Sequence, residues 1–250
     1  MTSLARSSLL ALAVIVLWAA PANAAVAFVQ CAVGTDTGSG PSTTTANFGS
    51  SVTGGNFLVV FVSSWDTDVA TFTLSDTGSN TYTTSASYRQ VNSLNQFVVQ
   101  IFYKENATGG SSFNVTATAD DDAYVNVVAC EFSGVATSSS TDGTSTNTST
   151  GTSATGGNIA TTTAGVIVGV VSHNQSGTIT PDGAWTEAHD GQAAAVPFSV
   201  IYRLEASGTY NATWTVPSAE WFVASAAFKE GAGGGPTCTG GLALLGAGRC

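Results

Sequence analysis

The chain of 250 residues contains one unit twice. The stretch IFYKENATGG, which begins at Ile101, resembles IYRLEASG, which begins at Ile201, and this alignment pairs Phe102 with Tyr202 and Glu105 with Glu205. Longer segments match in the same order along the chain: GGNFLVVFVSSW (54–65) with TAGVIVGVVSHN (163–174), TFTLSDTGSNTYTTS (71–85) with GTITPDGAWTEAHD (177–190), FVVQIFYKE (97–105) with FSVIYRLE (198–205), and AYVNVVACEF (123–132) with EWFVASAAF (220–228). We therefore predict a duplication, with repeat units at about 54–132 and 163–228 and about five strands in each.

Apolar and polar residues alternate through both copies. In FNVTATA (113–119) and YNATWTV (210–216), every second residue is apolar and the residues between are Asn or Thr. This period of two is typical of strands with one buried and one wet face, and no window has convincing helical spacing. The sequence therefore predicts an all-β protein, specifically a jelly-roll-like antiparallel β-sandwich with an internal two-fold sequence repeat.

The two copies have two conceivable arrangements: each forms a small domain of its own, or both share one sandwich. A unit of about five strands buries little surface alone and leaves its edges open, so we favour a single sandwich of roughly ten strands over residues 25–230. The N-terminal strand AVAFVQCAV (25–33) has no clear counterpart in the second copy. We expect it at the edge of a sheet.

Residues 1–24 have the features of a signal peptide. Arg6 precedes the apolar run LLALAVIVLWAA (9–20), which Pro21 ends, and Ala22-Asn23-Ala24 is a small-residue cleavage site. We predict cleavage after Ala24 and a secreted or cell-surface protein. The later apolar runs FLVVFV and VIVGVV have the length of strands, so we expect no transmembrane span in the mature chain.

The charge balance argues against one class of partner. The formal net charge is −10, with 16 acidic against 6 basic residues. Such a chain repels phosphate backbones, and we expect no nucleic-acid partner. Because charged residues are sparse, solubility depends on Thr, Ser, Asn and Gly.

Two segments of unusual composition flank the second copy. The stretch TSSSTDGTSTNTSTGTSATGGN (137–158) is either a flexible, solvated connection or a Thr-rich strand paired into a sheet. Residues 231–250 form a Gly-rich tail that we expect outside the sandwich.

The four cysteines of an exported chain can form two bridges. Cys238 and Cys250 lie close together in the tail, and we predict that they close a small loop. Cys31 and Cys130 lie on core-facing positions of two strands, where a bridge and a pair of buried free thiols are both reasonable interpretations. None of the cysteine spacings is that of a zinc site.

Candidate catalytic residues are few. The two histidines are His173 and His189, and His189 lies between Glu187 and Asp190 in a segment that also fits a solvated loop. No nucleophile-elbow or zinc-protease motif occurs. Glu105 and Glu205, as a repeat-related pair, are candidates for the two carboxylates of a glycosidase. The competing interpretation is that both are solvated turn residues.

Candidate ligand-binding residues are an acidic cluster and two tryptophans. Asp120, Asp121 and Asp122 offer the hard oxygen ligands that calcium prefers, and the competing interpretation, which we favour, is a solvated turn. Calcium is the one cofactor the sequence suggests. Trp65 and Trp185 lie near loops, where an exposed ring would stack on a sugar, whereas alternation places Trp214 in the core.

The motifs TLSDTGSNTYT, IFYKENATGG, VVACEFSGV and AFKE together resemble a recurrent group of bacterial and phage-associated extracellular β-sandwich proteins. The resemblance covers about residues 25–230 and implies a sandwich fold and an extracellular setting, with no catalytic residues to carry over. We expect a secreted, non-catalytic surface-binding, adhesive or structural module whose partner is a glycan or a cell-surface or structural protein. The alternative is a secreted carbohydrate-active enzyme or its carbohydrate-binding module.

Overall fold

A computed structural model describes residues 25–34, 43–66, 71–89, 96–120, 123–191 and 197–231. The predicted signal peptide, the predicted Cys238–Cys250 bridge and nearly all of the Gly-rich tail lie outside these residues. The same holds for Asp121 and Asp122.

The described part of the chain folds into strands and contains no helix, which confirms the predicted all-β class. The strands are β1 Ala27–Gly34, β2 Thr43–Asn47, β3 Phe57–Asp66, β4 Phe72–Asp76, β5 Thr83–Arg89, β6 Gln96–Lys104, β7 Asn114–Ala119, β8 Tyr124–Ser133, β9 Thr141–Ala160, β10 Gly165–His173, β11 Thr180–Pro181, β12 Thr186–Asp190, β13 Phe198–Glu205 and β14 Thr209–Lys229. All the strand pairs are antiparallel.

The two copies have the same strand order. In the first copy, one sheet has the order β1-β8-β3-β6-β5 and a smaller sheet has the order β2-β7-β4. In the second copy, the order β14-β10-β13-β12 repeats β8-β3-β6-β5, and β9 pairs with β14 along its length. The first half of the long strand β14 corresponds to β7 and its second half corresponds to β8. Strand β11 corresponds to β4. This match confirms the internal repeat.

Strand β9 decides whether the Ser/Thr-rich segment is a strand and whether the N-terminal strand has a counterpart in the second copy. The segment is a strand over Thr141–Ala160, so the flexible interpretation is wrong for these residues. Its first half pairs with the end of β14 as β1 pairs with β8, so β1 does have a counterpart. The expected position of β1 at a sheet edge is confirmed.

The sheets are stacked face to face around three hydrophobic cores. A central core lies between the five-stranded sheet of the first copy and the corresponding strands of the second, where Phe57 meets Phe228 with ring centroids 4.7 Å apart and Phe97 meets Phe222 at 4.9 Å. One outer core lies between the first copy's two sheets, and the other lies between β10, β13 and the end of β14 on one side and the first half of β14 on the other. Strands thus pair within each copy, while the inner sheets of both copies share the central core.

The strand register corrects the alignment of β6 with β13. Leu58 pairs with Lys104 and its counterpart Ile167 pairs with Arg203, so Tyr103 corresponds to Tyr202. Ile101 packs in the central core, whereas Ile201 packs in an outer core. The predicted pairings of Ile101 with Ile201 and of Glu105 with Glu205 are therefore wrong by one residue. Such a shift moves every side chain to the opposite face of a strand.

Cys31 and Cys130 form a disulfide, which decides between the two interpretations of this pair. The two residues are directly opposite each other in the β1–β8 ladder. Because β1 is an edge strand with only one neighbour in its sheet, the bond fixes its position against β8.

Candidate functional site

The indole ring of Trp185 is not exposed to solvent. Only 8% of its surface is exposed, and it packs in the outer core of the second copy. The guanidinium of Arg203 lies 5.8 Å from its ring centroid and 5.5 Å from that of Tyr210. The expectation that Trp185 is exposed is therefore wrong, and Trp214 is buried as predicted.

Trp65 is half-buried near the end of β3. Its ring stacks on Tyr124 with centroids 5.3 Å apart and an interplanar angle of 25°. Tyr124 and Phe97 are its neighbours on the two adjacent strands. Trp65 is thus part of an aromatic row at one end of the sheet, and its role in ligand binding stays a prediction.

The two candidate catalytic glutamates are held by different partners. Glu105 accepts a hydrogen bond of 2.5 Å from the backbone N–H of Ser140. Glu205 forms an ion pair of 2.5 Å with Arg203. Glu105 lines an open polar depression of about 270 Å³ together with Thr81, Thr83, Tyr103, Lys104, Asn106 and Thr137. Neither Glu205 nor Trp65 nor Trp185 lines it, so this depression does not combine two carboxylates with an aromatic platform.

The histidines lie in strands and not in loops. His173 is fully buried, its Nδ1 accepts a hydrogen bond from the backbone N–H of Gln175, and burial lowers its pKa. His189 packs against Phe198, and burial lowers its pKa as well, although the charge of Asp190 acts in the opposite direction. Burial is also the main cause that raises the pKa of Glu187, which accepts a hydrogen bond from Ser199.

Asp120 binds protein groups of its own chain. Its carboxylate accepts hydrogen bonds from the backbone N–H and the hydroxyl of Thr71. Within the described residues, no group of three or more His, Cys, Asp and Glu side chains is placed to hold a metal ion. Calcium binding therefore stays a prediction that depends on Asp121 and Asp122.

The outer surface of the small sheet β2-β7-β4 carries a regular array of hydroxyl and amide groups. Thr43, Thr118 and Thr73 form one row across the strands, and Thr45, Thr116 and Ser75 form the next. Asn47 and Asn114 form a third row at the end of β2. We call this array the first threonine face; its residues are Thr43, Thr45, Asn47, Thr73, Ser75, Asn114, Thr116 and Thr118.

Alternation along the strands places these residues on one side. Ala46, Val115 and Ala117 lie between them in sequence and are completely buried in the outer core. The face residues are exposed or half-buried. Neighbours in a sheet are about 4.8 Å apart across strands and about 6.7 Å apart along a strand, so the array has a fixed two-dimensional spacing.

Hydrogen bonds and side-chain shape make the first threonine face rigid. The hydroxyls of Thr45 and Thr116 share a hydrogen bond of 2.8 Å, and Thr43 donates one of 3.3 Å to Thr118. Threonine also has few rotamers in a strand. None of the eight residues is ionisable, and Asp120 borders the array next to Thr71. The face therefore offers neutral donors and acceptors in a preformed arrangement.

The sequence of β7 reveals the polar side of this strand but not the array. The pattern NVTAT (114–118) places Asn114, Thr116 and Thr118 on one face. It does not reveal that β2 and β4 flank this strand with their own threonines in register, because that pairing joins segments far apart in the chain.

Comparison of the chain with protein families, curated proteins and solved structures gives no match. In the described part of the chain, no helix has the length and apolar character needed to cross a membrane.

Proposed function

We propose that the protein is a non-enzymatic, extracytoplasmic module that binds the surface of a neutral, hydroxyl-rich polysaccharide through the first threonine face. The observation that carries this proposal is the array of eight uncharged hydroxyl and amide side chains on one face of a sheet. The disulfide Cys31–Cys130 agrees with an oxidising compartment.

The charge distribution supports a neutral ligand. The chain has 16 acidic residues, yet this face carries none. An anionic polymer would require basic side chains, and a cationic one would require carboxylates. Thr, Ser and Asn both donate and accept hydrogen bonds, so they match sugar hydroxyls without the desolvation of a charge.

Preorganisation supports a flat, repeating ligand. Ordering flexible side chains on binding costs about 0.5 to 1.5 kcal/mol for each rotamer-rich residue. The threonines of this face are already held by their rotamers and by cross-strand hydrogen bonds. A polymer with repeating hydroxyls can satisfy several rows at once.

A retention assay on insoluble polysaccharides tests the proposal. Cellulose and chitin are compared with a sulfated and a cationic polymer, with and without calcium. We expect retention on a neutral polymer only, without dependence on calcium. The variant Thr116→Glu places a charge at the centre of the face and should weaken retention by the part that this face contributes. The control Ser138→Glu adds the same charge at an exposed position outside the face.

Three results would overturn the proposal. One is retention on no neutral polymer. Another is enrichment in growing ice without binding to any polysaccharide, which would indicate recognition of ordered water. The third is polysaccharide turnover that Glu105→Gln or Glu205→Gln abolishes, which would identify a carbohydrate-active enzyme.

A further inference from the structure

The second copy carries a corresponding array. On β14, Asn211, Thr213 and Thr215 occupy the positions that Asn114, Thr116 and Thr118 occupy on β7. Their cross-strand neighbours are Asn158, Thr155 and Ser153 on β9, and Thr180 on β11 pairs with Thr215. We call this array the second threonine face; its residues are Ser153, Thr155, Asn158, Thr180, Asn211, Thr213 and Thr215.

Alternation also places the residues of the second face on one side, with a register shift between Asn211 and Thr213. Ala154, Ala212 and Trp214 alternate with its residues and are buried in the outer core of the second copy. None of the seven residues is ionisable. Asp182 lies at its margin, where it accepts a hydrogen bond of 3.2 Å from Thr213, much as Asp120 borders the first face.

The order of the layers places the two faces on opposite sides of the protein. The sheet β2-β7-β4 packs on one five-stranded sheet through one outer core. That sheet packs on the strands of the second copy through the central core, and those strands pack on the first half of β14 through the other outer core. Packed sheets are about 10 Å apart, so four layers separate the two faces by about 30 Å.

We propose that the protein is bivalent and that the two threonine faces bind two separate polysaccharide surfaces, which the protein bridges. This inference rests on the proposed function of the first face. Because the faces point away from each other, one flat surface cannot contact both. Bridging therefore needs no second copy of the protein, and each face contributes its own binding site.

A two-step capture assay tests bivalency. Protein is captured on a plate coated with cellulose or chitin, whichever retains it better, and fluorescent particles of the same polysaccharide are then added. Thr116→Glu and Thr213→Glu each disable one face at repeat-equivalent positions. Each single variant should bind the plate within about twofold of the wild-type level, since one of two sites remains. It should capture no particles, because it has no second site. The double variant should lose both steps, and Ser138→Glu should lose neither.

The outcomes separate this inference from the proposed function. Wild-type protein that binds the plate but captures no particles refutes bivalency alone. Complete loss of plate capture in one single variant also refutes it, because only one face would then bind. Particle capture by a single variant refutes it as well, since self-association would explain bridging. Wild-type protein that does not bind the plate refutes the proposed function. If Thr213→Glu loses cooperative unfolding, Ser153→Glu at an exposed position of the same face replaces it.

Discussion

Asn56 donates a hydrogen bond of 2.6 Å from Nδ2 to Oε1 of Glu131, a carboxylate that is completely buried. The same carboxylate accepts bonds of 2.9 Å from the backbone N–H of Thr53 and 2.7 Å from Gln30 Nε2. Glu131 therefore joins β1, the turn before β3 and β8. Its counterpart in the second copy is Ala227, so the carboxylate is specific to the first copy.

Glu131→Ala should lower the free energy of unfolding by about 3 kcal/mol, because it leaves buried donors without an acceptor. Urea denaturation measures the change. The control is Glu205→Ala, which removes a partly exposed ion pair and should cost less than about 1 kcal/mol. Equal effects of the two substitutions would contradict the structural role of Glu131.

Removal of the Cys31–Cys130 disulfide should lower the free energy of unfolding by about 4 kcal/mol, because the bond closes a loop with a sequence separation of 99 residues. The double variant Cys31→Ala/Cys130→Ala is compared with wild type in urea. A reductant should destabilise the wild type and leave the double variant nearly unchanged. Peptide mapping that joins either residue to Cys238 or Cys250 would contradict the assignment.

Gly169→Val should destabilise the protein by about 2 kcal/mol through overpacking. A Cβ at Gly169 would lie 2.9 Å from both Trp214 and Ala212. The first copy has Val60 at this position, with Ala117 where the second has Trp214. The same substitution should therefore cost less in a Trp214→Ala background, where the close contact with Ala212 remains but the one with Trp214 is gone. The control is Gly183→Val, where an added Cβ meets nothing within 4 Å.

His173 and His189 should make the protein less stable at mildly acidic pH. The folded-state pKa values of His173 and His189 lie below their ordinary value of 6.5. Their stabilising contribution is thus complete above that value. This contribution is lost as pH falls from 6.5 towards the folded-state pKa values. The reason is that the histidines of the unfolded chain bind protons at a higher pH than those of the folded chain. Urea unfolding from about pH 5 to about pH 8 measures this loss.

The variant His173→Gln tests the histidine origin of the slope. It should flatten the dependence of unfolding free energy on pH below 6.5, because one of the two lowered groups no longer titrates. An unchanged slope would assign the effect to other groups. The raised pKa of Glu187 has the opposite effect on the pH dependence of stability. Its stabilising contribution is lost as pH rises through its folded-state pKa.

Alternation and duplication in the sequence predicted the β class and the repeat, since both depend on patterns within short segments. The pairing of Tyr103 with Tyr202 was missed because the alignment of β6 with β13 is displaced by one residue, and sequence similarity alone favours Ile101 with Ile201. The pairing of β9 with β14 was also missed, because an edge strand of Thr and Ser has no apolar pattern.

The candidate site was less predictable than the fold. Trp185 was predicted as a platform because its burial in an outer core beside Arg203 depends on contacts between distant segments. The threonine faces depend on which strands become neighbours, and the sequence of β7 alone does not contain that information.

The central core has the geometry of a symmetric dimer interface. Tyr103 contacts Phe228 with ring centroids 5.1 Å apart, and their counterparts Tyr202 and Phe132 make the reciprocal contact at 5.5 Å. Reciprocal contacts of this kind are the signature of two identical subunits related by a two-fold axis. We expect a single copy expressed alone to expose this aromatic surface and to bury it by homodimerisation. Because both copies lie in one polypeptide, each copy has its partner at a fixed effective concentration, and the two sequences need not be identical.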